Sequence, residues 1–194
     1  MSYSIVGSGN VGTALARLFV RSNIDVAIAN SRGASSLAPV VAELKGKIRA
    51  VNLSEALGAD IVILAVPFPA FQNVARTKTN WSGQIIIDAM NRREKVSGLM
   101  STEVVAGEFP SAKVVKAFNQ LPAAVLASDP SQAGGRRVMF VSSNDADASA
   151  TVAKLAGQLG FAPIELGRLD EGGRLLQFHG PLVLHNLIEH EFEG

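Results

Sequence analysis

The stretch "SIVGSGNVGTALA" (residues 4–16) decides how this chain is read. A short apolar run enters Gly7-Ser8-Gly9-Asn10-Val11-Gly12, a G-x-G-x-x-G, and a helical pattern follows. In a strand, turn and helix of this kind the three glycines have separate tasks. Gly7 allows the tight turn, Gly9 lets the backbone come close to a pyrophosphate, and Gly12 lets helix and strand pack closely, with Ala16 keeping that contact narrow. The N–H groups of Asn10 and Val11 at the helix start would point at phosphates, aided by the positive end of the helix dipole. Glycine-rich turns also make plain bends, so the motif alone is weak. Its place between the first strand and the first helix of a βαβ unit makes it a dinucleotide fingerprint.

The second βα corner says which dinucleotide. Residues 28–33 read "IANSRG", and Asn30 lies 18 residues beyond Gly12, where an acid would take the two ribose hydroxyls of NAD. A carboxylate there would repel a 2′-phosphate, and the neutral amide of Asn30 removes that repulsion. Arg32 adds attraction, since a planar guanidinium can bond phosphate oxygens and lie against adenine. The Ser31 hydroxyl supplies a further donor and Gly33 permits the turn. This corner predicts a preference for NADP(H), the alternative being an ordinary polar turn with a solvated arginine.

Outward from these motifs, short β-like runs alternate with helical patterns. The runs are residues 4–7, 25–30, 47–51, 60–66, 84–90, 113–118, 137–142 and 162–166. Their rhythm predicts an α/β, Rossmann-like doubly wound, mostly parallel sheet. Several runs are continuously apolar, as strands covered by helices on both faces are. Between them, residues 12–22 place Leu15, Leu18 and Phe19 on one helical face. Residues 53–57 read as a helix capped by Ser54, and 145–160 as a helix with an acidic first turn, Lys154 towards its end and a terminal Gly160. "SDPSQAGG" (128–135) is a turn-rich connection with no linker character. A short C-terminal helical extension is expected from Pro181 onwards. The chain is read as one domain over 1–194, with a core of about 1–125 and an extension of about 126–194.

Composition narrows the class of partner. Apolar residues make up 47% of the 194 and charged ones 18%, a globular balance. Lys+Arg 18 against Asp+Glu 17 leaves a net charge of +1, too little to gather nucleic acid or an anionic membrane, so a small-molecule partner is expected. With no cysteine there is no disulfide, thiolate nucleophile or Cys-ligated metal. "MSYSIVGSG" lacks the basic region of a signal peptide, and the longest apolar stretch, 61–71, contains two prolines and falls short of the roughly 20 residues a membrane span needs. A cytoplasmic protein that does not enter the membrane is expected.

In an open α/β sheet the ligand lies across the carboxyl ends of the strands. Three further strand ends therefore matter: "AVPFPAF" (65–71), "DAMNRR" (88–93) and "KAFNQLPA" (116–123). Ala65, Val66 and Pro67 offer a smooth apolar wall for a nicotinamide and its ribose. Asn91 and Asn119 bring amides able to bind sugar hydroxyls or the carboxamide.

Together, "SIVGSGNVGTALA", "NSRG", "ADIVILAVPFPA", "IIIDAMN" and "KVVKAFNQLPA" resemble the family of NADP oxidoreductases dependent on the deazaflavin coenzyme F420. The chain is similar also to the cytosolic NADPH-binding domain of the transmembrane metalloreductases, over about residues 3–125. The resemblance implies hydride transfer between NADP(H) and a flavin or deazaflavin ring, on a fold that dimerises through its C-terminal segment. It also implies that Ser31 and Arg32 hold the 2′-phosphate, and that Ala65–Phe68 and Ala117, Phe118 and Asn119 border the nicotinamide. Phe118-Asn119 departs from the histidine that deazaflavin reductases often carry there, and looks more like the metalloreductases.

No residue stands out as a general acid or base of the kind that alcohol oxidation requires. Lys116 and Lys95 read as surface charges. His179, His185 and His190 lie close in sequence, but 185 and 190 are splayed on a helix, so no metal site is expected; His185 and Glu189 have i, i+4 spacing and read as a surface pair. Leu182, Val183, Leu184, Leu187, Ile188 and Phe192 cover much of a helix circumference, which predicts a buried or homodimer-forming segment. Hydride transfer to a flavin-like ring needs chiefly geometry, since the ring takes the electrons and a solvent proton follows. The alternatives are a non-catalytic NADPH-sensing module and a reductase of a small imine or keto substrate.

Overall fold

Ile61–Leu64 and Ile85–Asp88 are buried along their whole length, as strands with helices on both faces must be. In the computed structural model, which describes residues 1–92 and 100–190, they lie in the middle of one sheet. In chain order the first half runs β1 (Tyr3–Val6), α1 (Asn10–Arg21), β2 (Ala27–Ala29), α2 (Ala38–Glu43), β3 (Arg49–Ala50), α3 (Leu53–Ala56), β4 (Ile61–Leu64), α4 (Phe71–Arg76) and β5 (Ile85–Asp88). The second half runs α5 (Ser101–Glu108), β6 (Lys113–Lys116), α6 (Ala123–Ala127), β7 (Ser131–Gln132), β8 (Gly135–Ser143), α7 (Ala146–Gln158), β9 (Ala162–Glu165), α8 (Gly172–Leu175) and β10 (Ile188–Glu189).

The sheet order is β3-β2-β1-β4-β5-β6-β8-β10, with β7 and β9 also paired to β8. The first six strands are parallel neighbours, and β8 joins β6 antiparallel. The chain winds outward from β1 to β3 and then returns to the other side at β4. The reversal between β1 and β4 is the switch point at which such sheets open a crevice. This is the Rossmann-like α/β fold expected from the alternating runs.

Alternation along each central strand feeds two cores. Ile5, Ile63, Ile87 and Val115 pack with Leu15, Leu18 and Phe19 of α1 on one face. Val6, Leu64, Ile86 and Val114 pack with Phe71, Trp81 and Phe109 on the other, where the Trp81 and Phe109 rings meet edge to face at 4.7 Å. Among the described residues no helix is long and apolar enough to cross a membrane.

Two local expectations are corrected. The cap of α3 is Asn52, whose Oδ1 accepts from the Glu55 N–H at 2.8 Å; the helix begins at Leu53, which leaves Ser54 inside it. Over residues 181–190 the chain is not helical. Leu184 takes a left-handed φ of 66° and donates its N–H to the Gln120 carbonyl, Val138 donates to the Leu187 carbonyl, and Ile188–Glu189 pairs with β8. The sheet edge satisfies these backbone groups in place of helical bonds. The apolar residues of this segment then divide between the interior, with Val183 buried, and the surface, with Leu184 63% exposed. Phe192 lies outside the described residues, as do Arg93 and Lys95.

The cap of α7 is as its sequence suggests. Asp145 accepts from the Ala148 N–H at 2.8 Å and pairs with Lys113 at 3.0 Å. The Ala148 bond first, and the Lys113 hydrogen bond next, hold its carboxyl below the ordinary carboxylate range. A lowered folded value means that this contribution is present above the unfolded-state value and is lost as pH falls through the folded one. Asp145→Ala is expected to cost about 1 kcal/mol of stability at neutral pH. In denaturant titrations the difference from wild type should shrink in acid; a constant difference would refute the cap's role.

Candidate functional site

The site begins where the parallel strands stop. Gly7 donates its N–H to the Ala29 carbonyl, Ala65 to Val6, Ala89 to Leu64 and Ala117 to Asp88. Each of the four thus sits one step beyond the last strand residue of its neighbour. They form a row of glycine and alanine across β1, β4, β5 and β6, and Asn30 extends it at β2. Small side chains leave this crest low, so an elongated ligand can lie across it.

At the middle of the row is the glycine turn. Gly7 has φ 119° and an added Cβ would run into the Ala65 backbone, so glycine is required there twice over. A Cβ on Gly12 would collide with the Gly7 carbonyl, the close helix-to-strand contact expected. Gly9 differs from both. Its backbone is extended at φ −76°, ψ −170°, and a Cβ there would meet no protein atom within 4 Å. Neither conformation nor packing requires a glycine here. Gly9 caps α1 without a side-chain hydrogen bond, and no carboxylate stands in the first turn, which leaves the helix start open to an anion.

The corner after β2 is ordered by Asn30. Its Nδ2 donates to Ser8 Oγ at 2.9 Å and to Ser36 Oγ at 3.0 Å, and its Oδ1 accepts from the Arg32 N–H at 2.9 Å. Asn30 is thus a buried organiser tying this corner to the glycine turn, in addition to being uncharged. Ser31 and Arg32 are exposed, and Arg32 Nη2 reaches back to 3.4 Å from Ser8 Oγ. The guanidinium therefore stands beside the glycine turn. Sequence reading missed Ser36, which donates to the Gly33 carbonyl at 2.7 Å; a hydroxyl three residues after a turn glycine is the signal that points to it.

At the far end, Ala65, Val66 and Pro67 follow β4, half-buried or exposed, and Phe68 beyond them carries the Arg92 guanidinium over its ring at 5.5 Å. Asn91 and Asn119 are joined twice. Asn91 Nδ2 donates to the Asn119 carbonyl and Asn119 Nδ2 donates to Asn91 Oδ1, both at 2.9 Å. Asn119 Nδ2 also donates at 2.8 Å to the carbonyl of Leu176, a residue that sequence reading did not single out, and so ties the C-terminal part of the chain to the crest. Asn119 is 3% exposed, and its Oδ1 is buried without a partner among the described residues. Ala117 and Phe118 have buried side chains, and the Phe118 ring packs near Phe161 in the core. Phe118 therefore contributes through its backbone, held at φ 61°, a conformation costly for a bulky residue and typical of constrained sites.

Lys116 corrects an expectation. It is not a surface charge: it is 2% exposed and pairs at 3.2 Å with Asp88, which is 0% exposed. Desolvation draws its pKa below the ordinary lysine value, and Asp88 opposes that shift. The pattern was present in "IIID" and "KVVK", two apolar strands ending in opposite charges, but only the register places Asp88 beside Lys116. Likewise His185 and Glu189 do not form a helical pair, because Glu189 lies in β10 and bonds Arg136 at 2.9 Å.

Residues 2–92 match the family described as NADP oxidoreductase, coenzyme F420-dependent. A solved structure of the hypothetical protein SMa0349 from Sinorhizobium meliloti is 45% identical and superposes with a TM-score of 0.95, covering 98% of this chain and 96% of that one. A putative F420-dependent NADP reductase from Arthrobacter sp. FB24 is 25% identical with a TM-score of 0.75, covering 88% and 86%. The metalloreductase STEAP3 of Rattus norvegicus is 28% identical over 170 residues, 85% of this chain and 33% of the relative. The chain thus spans about a third of the length of the curated relatives it matches.

Proposed function

We propose that this chain, whose residues 2–92 match the family of coenzyme F420-dependent NADP oxidoreductases, moves a hydride between NADP(H) and a flavin or deazaflavin. When bound, the reduced nicotinamide supplies the hydride. The chain's own residues bind and orient. Arg32 and Ser31 take the 2′-phosphate, while Asn30 holds the corner they stand on. Gly7, Ser8, Gly9, Asn10, Val11 and Gly12 receive the pyrophosphate on open backbone at the start of α1. Ala65, Val66 and Pro67 support the nicotinamide, as do the backbones of Ala117 and Phe118. Asn91 steadies Asn119 at the same end.

One observation carries the cofactor assignment: Gly9 has neither a conformational nor a packing reason to lack a side chain, at the point where a pyrophosphate would touch the backbone. The acceptor follows from the other end of the crest. Alanine, valine, proline, phenylalanine and asparagine at the nicotinamide exchange no proton near neutral pH, and Lys116 lies beneath them, bonded to Asp88 and the Met90 carbonyl. Such a site suits a ring that stores the electrons itself better than a carbonyl or imine that needs a positioned donor.

Mixing the protein with NADPH and either F420, FMN or FAD, and following the nicotinamide absorbance, is the test. Oxidation of NADPH that depends on one of these rings is expected. Turnover with imines or keto acids alone, or with no acceptor of either kind, would refute the reading.

A further inference from the structure

Asp88 and Lys116 end neighbouring strands in register, one step below Ala89 and Ala117. Ala89 and Ala117 turn towards the α1 core, so by alternation the charged pair faces the opposite layer, where α5 supplies Thr102. Stability alone is a poor reason for such a pair, because apolar residues of similar volume often replace buried ions without loss. What distinguishes this one is where its other bonds go. Asp88 Oδ1 accepts from the Met90 N–H at 3.0 Å, and Lys116 Nζ donates to the Met90 carbonyl at 2.6 Å. Both polar groups of a single peptide residue are therefore gripped by the two members of the pair. Thr102 Oγ1 donates to Asp88 Oδ2 at 2.8 Å and completes the carboxylate's partners.

Met90 is followed directly by Asn91, and Asn91 is joined in both directions to Asn119. We infer that Asp88 and Lys116 are positioning residues for the nicotinamide end, a buried latch that fixes Met90 and, through Asn91, the position of Asn119 at that end of the crest. The inference rests on the reading that NADP(H) lies across the crest. It adds that the two ends of the cofactor are held by separable parts of the chain, the glycine turn with Arg32 at one and the latch with its asparagine pair at the other.

The test compares NADPH with adenosine 2′,5′-bisphosphate, which carries the 2′-phosphate but no nicotinamide. Two variants are used: Lys116→Met, and the double variant Asp88→Asn/Lys116→Met, which leaves no unpaired charge buried. In both, NADPH affinity is expected to fall about tenfold or more while affinity for the adenosine fragment changes less than about twofold, as measured by calorimetric titration. Equal loss for both ligands, or unchanged NADPH affinity in the folded double variant, would overturn the latch. Failure of the wild-type protein to bind either ligand would instead overturn the cofactor reading on which it stands.

Discussion

Gly9→Ala is expected to weaken NADPH binding roughly 30-fold or more, about 2 kcal/mol, while leaving the melting temperature unchanged or slightly raised. The new methyl would enter open space and the backbone at this position is extended, so the folded protein resists nothing. It would occupy the space left for a pyrophosphate. Gly12→Ala should behave in the opposite sense. Its Cβ would be driven into the backbone carbonyl of Gly7, which cannot rotate away as a side chain can. Overpacking of this sort costs about 3 kcal/mol, which for a domain of this size lowers the melting temperature by roughly 10 °C. Thermal melts with and without NADPH separate the two outcomes. Equal destabilisation by both substitutions would mean that Gly9 serves the fold, and the main support for the cofactor assignment would be gone.

Arg32→Asp is the second large effect. A guanidinium bonded to a phosphate contributes about 1.5–3 kcal/mol, and a carboxylate in its place adds repulsion of about 1 kcal/mol at an exposed site. Together these amount to a loss of NADPH affinity on the order of a hundredfold or more. NADH has no 2′-phosphate, so its affinity should change little, and the preference between the cofactors should collapse. Among the described residues the exposed Arg32 side chain makes only a long contact, to Ser8, so stability should stay within about 0.5 kcal/mol of wild type. Fluorescence titration with both nicotinamides decides the matter. A proportionate loss for NADH, or none for NADPH, would show that Arg32 does not read the phosphate.

The fold was legible because its signals are local. β-branched runs of four to seven residues, separated by helical periods, leave few arrangements other than a parallel sheet with covered faces. The glycine turn and the "NSRG" corner were legible for the same reason, since backbone conformation and charge act over a few residues. The C-terminal segment was misread because its apolar residues satisfy a helical pattern while its backbone finds partners on β8 and Gln120, far away in sequence. The cap of α3 lies two residues before Ser54, at Asn52, because the first helical residue is Leu53. Phe118 has a buried ring beside Phe161 and a left-handed backbone, neither of which a local pattern shows.

By itself, then, the sequence determined a nucleotide-binding α/β fold and a corner without a carboxylate beside an arginine. These follow from turn geometry, periodicity and charge, which act within one unit of chain. Tertiary structure decided what Lys116 is. A lysine at the end of an apolar strand belongs on the surface unless a carboxylate meets it, and Asp88 meets it only because two strands whose ends are 28 residues apart align in register. Burial and pairing across such distances depend on the whole sheet being assembled, so no local pattern carries them.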